Sequence, residues 1–290
     1  MSLDGVELIE VAAGAYSLGE GPLWHEEMRR LVWTDIDAGR VHAMSVMDES
    51  PLTLYEGAKV GGMTLQRDGA LLLFRERDVA RLDADGAVRS LFDVDEPQTE
   101  RFNDVLALED GSVLAGMVGK DEESGGLFHV GVDGSMRLLF RNTKYPNGMA
   151  VTRDGQTLYY TCSTRGVIVR FDLSALLASE PESAWDLAEV VWRCTRGTPD
   201  GLTMDAEGRL WSASWGGGRV VRLSTDGEEL GEIGLRERNV TSCCFAGDGL
   251  GMLAITTAGG GVYACDVGVR GIRGVRGVRG VAEHRSAILG

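Results

Sequence analysis

Four oxygen-bearing side chains occur in short motifs spread widely along the chain, and together they could hold a metal ion. The motifs are Gly19-Glu20-Gly21-Pro22, Arg101-Phe102-Asn103-Asp104, Pro146-Asn147-Gly148 and Pro199-Asp200-Gly201. The carboxylates of Glu20 and Asp200 and the amide oxygens of Asn103 and Asn147 form a hard, oxygen-only ligand set. Such a set suits Ca²⁺, Mg²⁺ or Mn²⁺ better than a soft metal. No histidine lies at a matching position, which disfavours an imidazole-rich zinc site, although zinc also accepts oxygen ligands.

Ordinary turn chemistry is the alternative explanation for two of these motifs. Pro-Asn-Gly and Pro-Asp-Gly form β-turns without any metal, so neither Asn147 nor Asp200 alone would indicate a site. The recurrence of a polar residue at equivalent places in four motifs favours the metal site.

The motifs follow an internal repeat of about forty residues. The repeat openings fall near Gly19, Gly61, Asn103, Pro146, Pro199 and Asn239. The second repeat shows the pattern most plainly, with apolar runs at residues 61–65, 71–74, 79–82 and 88–92 and turns at Asp68-Gly69 and Asp85-Gly86. Asp-Gly between apolar runs is a strong hairpin signal, so each repeat predicts four short antiparallel strands.

Six such units predict an all-β fold, a six-bladed β-propeller of four-stranded blades. A β-sandwich is the alternative, but it would not need the same turn at the same place in every unit. The last unit, residues 239–265, lacks one strand, and we expect residues 7–12 to supply it and close the last blade. We also expect a helical turn within residues 173–187, where one repeat is longer. In a propeller the first strands of the blades line the central channel, so Glu20, Asn103, Asn147 and Asp200 should converge.

The C-terminal residues have a different composition, so we assign residues 1–267 to the propeller and residues 268–290 to a tail. Residues 268–280 repeat a three-residue Gly/Arg unit. The regular glycines predict a flexible tail or an expanded repeat. A basic arm that binds nucleic acid is the alternative, because five arginines accompany the single acid Glu283.

Composition limits the possible partners and location. The chain has 290 residues, 43% of them hydrophobic, and a net charge of −15, which argues against nucleic acid and anionic membranes as partners. The five cysteines contain no Cys-x-x-Cys pair and indicate reduced thiols. Residues 1–11 show no signal peptide and no apolar span, so we expect a cytoplasmic protein. No pattern indicates an oligomeric state.

Other common catalytic motifs are missing from the sequence. It contains no Gly-x-Ser-x-Gly elbow for a serine nucleophile, no P-loop and no dinucleotide fingerprint. Gly216-Gly217-Gly218 precedes a predicted strand rather than a helix, so it cannot present a helix end to a phosphate.

Residues 5–268 resemble the family that contains senescence marker protein (regucalcin), gluconolactonase and luciferin-regenerating enzyme. The most specific motifs are residues 18–24, 101–104, 146–148, 199–202, 205–211, 217–220 and 241–245. The resemblance implies a six-bladed propeller with a catalytic divalent cation. It places the metal ligands at Glu20, Asn147 and Asp200, with Asn103 lining or completing the site, and the substrate contacts at Arg101, Asn103 and Asp121. Departures from the family pattern, at Val105 and at residues 116–118, lie around the substrate pocket rather than the metal.

The resulting hypothesis is a metal-dependent carboxylic ester hydrolase that opens a sugar lactone to the aldonic acid, with Ca²⁺ favoured and Zn²⁺, Mn²⁺ or Mg²⁺ possible. The cation would polarise the lactone carbonyl, and Asp200 would accept a proton from the attacking water. The alternatives are a lactonase or phosphotriesterase with another substrate, and a Ca²⁺-binding regulatory protein without catalysis. Arg101 could instead pair with Glu100 or Asp104, and Asp121 could be a solvated loop acid.

Overall fold

The six predicted blades are present as six four-stranded antiparallel sheets. A computed structural model describes residues 6–45, 48–141, 143–267 and 283–289. The sheets pair strands that are neighbours in sequence, apart from one pairing that involves the first strand. The prediction of an all-β, six-bladed β-propeller is therefore confirmed.

The first half of the chain begins with a separate strand and continues with three blades. The strand is β1 (Ile9–Tyr16). Blade 1 contains β2 (Gly19–His25), β3 (Arg30–Asp35), β4 (Arg40–Met44) and β5 (Leu52–Glu56). Blade 2 contains β6 (Val60–Leu65), β7 (Leu71–Arg75), β8 (Asp78–Leu82) and β9 (Val88–Asp93). Blade 3 contains β10 (Thr99–Ala107), β11 (Val113–Gly119), β12 (Gly126–Val130) and β13 (Met136–Arg141).

The second half contains the other three blades and two short helices. Blade 4 contains β14 (Pro146–Val151), β15 (Thr157–Cys162), β16 (Val167–Asp172) and β17 (Glu189–Arg193). Blade 5 contains β18 (Thr198–Met204), β19 (Leu210–Trp215), β20 (Arg219–Leu223) and β21 (Glu229–Gly234). Blade 6 contains β22 (Val240–Ala246), β23 (Met252–Thr257) and β24 (Gly260–Asp266). The helices are α1 (Leu173–Ala178) and α2 (Pro181–Ala184), with 3-10 turns at Ser163–Arg165 and Trp185–Leu187.

The N-terminal strand completes the last blade, as the sequence predicts. Blade 6 has the order β1-β24-β23-β22, and β1 pairs antiparallel to β24 with Ile9 opposite Ala264. The observed strand extends to Tyr16, beyond the predicted end at residue 12. Pairing with β1 gives blade 6 the same number of strands as the other five blades.

The Asp-Gly turns have a local physical cause. In these turns the glycine has a positive φ, for example +89° at Gly69 and +93° at Gly111, which a residue with a Cβ adopts at a cost. The aspartate carboxylate accepts the backbone N–H two residues on, as Asp68 does from Ala70 and Asp110 from Ser112. Each turn is therefore stabilised at both of its residues.

The described residues belong to two compact units. Unit 1 contains those of Met1–Glu56 and Cys194–Ala282, and therefore blades 1, 5 and 6. Unit 2 contains those of Gly57–Arg193 and Glu283–Gly290, and therefore blades 2, 3 and 4.

The core of unit 2 includes the helical insertion that the sequence predicts at residues 173–187. Leu173, Leu176 and Ala184 are buried in the same cluster as Phe140 and Tyr160. The ring of Trp185 packs edge-on against Phe140, with 5.2 Å between centroids. The insertion therefore covers apolar surface of blades 3 and 4 instead of extending into solvent.

The core of unit 1 is strengthened by one buried acid. Asp205 is 1% exposed and accepts hydrogen bonds from the indole of Trp211, from the guanidinium of Arg222 and from backbone N–H groups. The Arg222 guanidinium also lies over the Trp211 ring at 5.3 Å. Since the buried charge is both paired and hydrogen-bonded, it can be tolerated inside the blade.

The last described segment, residues 283–289, packs against unit 2. The backbone N–H of Ser286 donates to Leu65, that of Ala287 to Gly111 and that of Leu289 to Val132. Ile288 has no exposed surface and belongs to a core cluster with Phe74 and Phe102. The Gly/Arg repeat at residues 268–280, on which the prediction of a flexible tail depends, lies outside the described residues.

Candidate active site

The four predicted ligands lie at the same kind of pairing irregularity in the first strands of four blades. Asn103 in β10, Asn147 in β14 and Asp200 in β18 lie within a shift of the pairing register to the second strand, and Glu20 in β2 is the last paired residue before such a shift. All four lie inside their strands, because each strand resumes pairing after the shift. An irregularity of this kind re-aims a side chain. All four are buried, with exposures of 5%, 7%, 7% and 6%.

In unit 2 the two asparagines are directly connected. The amide nitrogen Nδ2 of Asn103 donates to Oδ1 of Asn147 at 2.5 Å and to the backbone oxygen of Pro146 at 2.8 Å. Nδ2 of Asn147 donates to Oγ of Ser163 at 2.7 Å. Nη1 of Arg101 donates to Oδ1 of Asn103 at 2.6 Å. The structure therefore brings together Arg101, Asn103 and Asn147.

Glycines allow the strands that carry the asparagines to approach closely. A Cβ on Gly61 would lie 1.9 Å from the backbone oxygen of Phe102, and one on Gly62 would lie 2.5 Å from that of Asn103. A Cβ on Gly116 would lie 2.9 Å from the ring of Pro146. These positions require glycine because any larger residue would push β10 or β14 away.

In unit 1 the two carboxylates also lie beside glycines. Oε2 of Glu20 accepts the backbone N–H of Gly21, whose φ is +49°. Asp200 precedes Gly201, where a Cβ would lie 2.1 Å from Oγ of Ser242 in β22. The glycine after each acid therefore permits either a left-handed backbone or a close packing of neighbouring strands.

The Arg101 guanidinium donates hydrogen bonds to residues of its own strand. Besides Asn103, it donates through Nη1 to the backbone oxygen of Phe102 at 2.8 Å. Burial raises the pKa of the neighbouring Asp104 carboxyl to about 7, and the charge of Arg101 opposes this rise. The charge of Arg101 therefore acts on Asp104, and the guanidinium also donates to Asn103.

Asp121 lies on the exposed hairpin between β11 and β12. Its Oδ1 accepts the backbone N–H of Glu123, and its own N–H donates to Oγ of Ser124. Hydrogen bonds from the backbone of Glu123 and from the side chain of Ser124 lower the pKa of the Asp121 carboxyl. The carboxyl thus stabilises its own turn, and its contact with substrate stays a prediction.

The sequence analysis missed Ser163, which accepts from Asn147. Ser163 opens the 3-10 turn after β15, and no motif surrounds it. The pairing of β14 with β15 indicates its position. Cys162 lies directly opposite Pro146, so Ser163, the next residue along the chain, is adjacent to the Asn147 motif.

The donor chemistry fits a hard divalent cation. Both unit 1 candidates are buried carboxylates, and both unit 2 candidates are buried amides. Across the described ranges, no group of three or more His, Cys, Asp and Glu side chains could hold a metal. Carboxylate and amide oxygens are ligands that Ca²⁺, Mg²⁺ and Mn²⁺ prefer.

No helix of the described residues is long and apolar enough to cross a membrane.

The sequence profile of the SMP-30/gluconolactonase/LRE-like region matches residues 18–259. The chain belongs to this family, which confirms the resemblance found in its motifs. A solved structure of a luciferin-regenerating enzyme superposes with a TM-score of 0.84 at 25% identity, covering 97% of this chain and 99% of the other.

Two relatives carry lactonase names. The pentonolactonase XacC of Haloferax volcanii is 39% identical over 84% of this chain and 82% of its own length. A 6-deoxy-6-sulfogluconolactonase of Pseudomonas putida is 32% identical over 83% of each chain.

Proposed function

We propose that this protein is a metal-dependent hydrolase that opens a sugar lactone to the corresponding aldonic acid. The observation that carries the proposal is the set of four buried oxygen donors at register shifts in the first strands of four blades. Membership of the family and the two lactonase relatives support the choice of reaction. In chemical terms the activity is that of a carboxylic ester hydrolase.

The substrate that we infer is an aldonolactone. One relative is named for a pentonolactone and the other for a substituted gluconolactone, so five- and six-carbon sugar lactones are the first to test. The acidic net charge of −15 favours a neutral lactone over an anionic one.

We propose that Glu20, Asn147 and Asp200 bind one divalent cation and that Asn103 completes its site. When bound, the cation supplies polarisation of the lactone carbonyl and stabilises the negative charge that develops on its oxygen. Ca²⁺ is favoured, with Zn²⁺, Mn²⁺ or Mg²⁺ as alternatives.

The side chains of the protein would perform the remaining tasks. The Asp200 carboxylate accepts a proton from the attacking water and so acts as general base. Arg101 donates hydrogen bonds to substrate oxygens, Asn103 also contacts the substrate, and Asp121 accepts from a sugar hydroxyl. The five cysteines are all free thiols, which supports a reducing compartment such as the cytoplasm.

The test measures the release of acid from a panel of lactones. The protein is first treated with EDTA to remove bound metal, and one divalent cation at a time is then added back. The proposal predicts hydrolysis of pentono- or hexonolactones that EDTA abolishes and a divalent cation restores. Hydrolysis confined to aryl esters or phosphotriesters would instead identify a hydrolase with another substrate. Cation binding without hydrolysis of any ester would identify a regulatory protein.

A further inference from the structure

Four residues of unit 2 form a continuous chain of hydrogen bonds in which every donor points the same way. Arg101 donates to Asn103 at 2.6 Å, Asn103 donates to Asn147 at 2.5 Å, and Asn147 donates to Ser163 at 2.7 Å. The chain connects three predicted site residues to one that no motif identifies.

Arg101 sets the direction of this chain. A guanidinium has five N–H donors and no acceptor, so the atom that faces it must be an oxygen. Asn103 therefore presents Oδ1 to Arg101 and turns Nδ2 towards the backbone oxygen of Pro146 and towards Asn147. An amide has the same shape in both orientations, so only its partners decide which atom points where.

The orientation of the Asn103 amide in turn determines the orientation of the Asn147 amide. The Nδ2 group of Asn103 can only donate, so Asn147 must present Oδ1 to it. If the Asn147 amide were reversed, two NH₂ groups would face each other at the 2.5 Å separation now occupied by a hydrogen bond. In the observed orientation, Nδ2 of Asn147 is directed to Ser163, and Oδ1 retains a second acceptor direction.

Ser163 is held against the segment that carries Asn147. Its backbone N–H donates to the backbone oxygen of Tyr145 at 3.3 Å. The next residue, Thr164, accepts through Oγ1 the N–H groups of Lys144 at 3.0 Å and Tyr145 at 3.1 Å. The hydroxyl of Ser163 is therefore fixed relative to Asn147 by contacts that do not involve its own side chain.

We propose that Ser163 is a positioning residue that holds the Asn147 amide with its oxygen directed to the cation. The inference rests on the proposed function, because it concerns one of the proposed ligands. Arg101 and Asn103 fix the amide from the oxygen side, and Ser163 fixes it from the nitrogen side. Without the hydroxyl, a buried NH₂ group loses this acceptor, and the amide gains freedom to rotate away from the ligand orientation.

The test is calorimetric titration of Ca²⁺ into the metal-free full-length protein and its variants. Ser163→Ala should weaken Ca²⁺ binding by about 10- to 100-fold, the usual effect of removing a partner of a metal ligand. Ser163→Thr keeps a hydroxyl and should restore most of the affinity. Ser135→Ala is the matched control, since its hydroxyl bonds to Asp133 in an exposed turn of the same unit.

Two further readouts separate positioning from a general structural role. The melting temperature of metal-free Ser163→Ala should fall by no more than about 10 °C, as expected for one lost buried hydrogen bond, and lactone hydrolysis should recover as Ca²⁺ is raised to saturation. An unchanged Ca²⁺ affinity in Ser163→Ala, with a wild-type protein that binds Ca²⁺, would overturn this inference alone. A metal-free variant that no longer unfolds cooperatively would also overturn it, by assigning the residue to folding. A wild-type protein that binds no divalent cation would overturn the proposed function itself.

Discussion

Asp200 combines two tasks in the proposed mechanism, as a ligand and as the base. Its replacement by asparagine keeps an oxygen donor but removes the group that accepts the proton. Asp200→Asn should therefore lower kcat by about 10²- to 10⁴-fold when measured with saturating Ca²⁺. Asp133→Asn is a suitable control, since Asp133 caps an exposed turn in blade 3. A kcat within about threefold of wild type would show that another group takes the proton.

Substitution of Asp121 tests the predicted contact with the substrate. If its carboxylate accepts a hydrogen bond from a sugar hydroxyl, Asp121→Asn should raise KM for the lactone by about 3- to 10-fold, with kcat retained, as expected for the loss of one hydrogen bond. Steady-state kinetics on the same lactone as for Asp200→Asn would measure this. Unchanged KM would assign Asp121 to its own turn, where it accepts from Glu123.

At the scale of the strands, close packing at glycine residues holds the proposed ligands in place. A Cβ on Gly61 would lie 1.9 Å from the backbone oxygen of Phe102, next to Asn103. We expect Gly61→Ala to lower the free energy of unfolding by about 1–3 kcal/mol, since the strand must move. Urea unfolding of Gly61→Ala and Gly234→Ala would measure this, because a Cβ on Gly234 meets no atom within 4 Å. Equal stabilities of the two variants would contradict the packing argument.

The C-terminal segment is a second element whose contribution can be measured. Ile288 is fully buried beside Phe74 and Phe102, whereas the adjacent Leu289 is 47% exposed. Ile288→Ala should destabilise the protein by about 2–5 kcal/mol, and Leu289→Ala by less than about 1 kcal/mol. Thermal or urea unfolding would distinguish them. Small and equal effects would mean that residues 283–289 are not docked in solution.

Elements with strong local signals were predicted from the sequence nearly to the residue. The four strands of blade 2 lie where the runs around Asp68-Gly69 and Asp85-Gly86 place them. At Asp248-Gly249 the residues with positive φ are Gly247 and Leu250, not the glycine that follows the aspartate.

Two features that depend on tertiary contacts were not predicted. Ile288 follows a low-complexity repeat, and it docks on strands more than two hundred residues earlier in the chain, as the bond from Gln66 to Ile288 shows. The proposed role of Ser163 depends on which atom of Asn147 faces it, and residue spacing carries no information on amide orientation. The candidate ligands could be chosen from the sequence because polar residues recur in four repeats, whereas the direction of their hydrogen bonds could not.

For the whole molecule, the proposed ligand set draws one residue from each of four blades, with Glu20 in blade 1, Asn103 in blade 3, Asn147 in blade 4 and Asp200 in blade 5. If this set binds one cation, substitution of any of its residues should weaken the same binding event. The net charge of −15 favours cation binding in general, so the test needs charge controls away from the candidate site.

The most direct test is calorimetric titration of Ca²⁺ into metal-free wild-type protein, Glu20→Gln and Asn147→Ala. The exposed Glu56→Gln in unit 1 and Asp133→Asn in unit 2 are the controls. We predict one Ca²⁺ per wild-type chain, unchanged binding in both controls, and a loss of affinity of at least about 100-fold in both Glu20→Gln and Asn147→Ala. Full affinity in Asn147→Ala together with its loss in Glu20→Gln would contradict one cation bound by both residues.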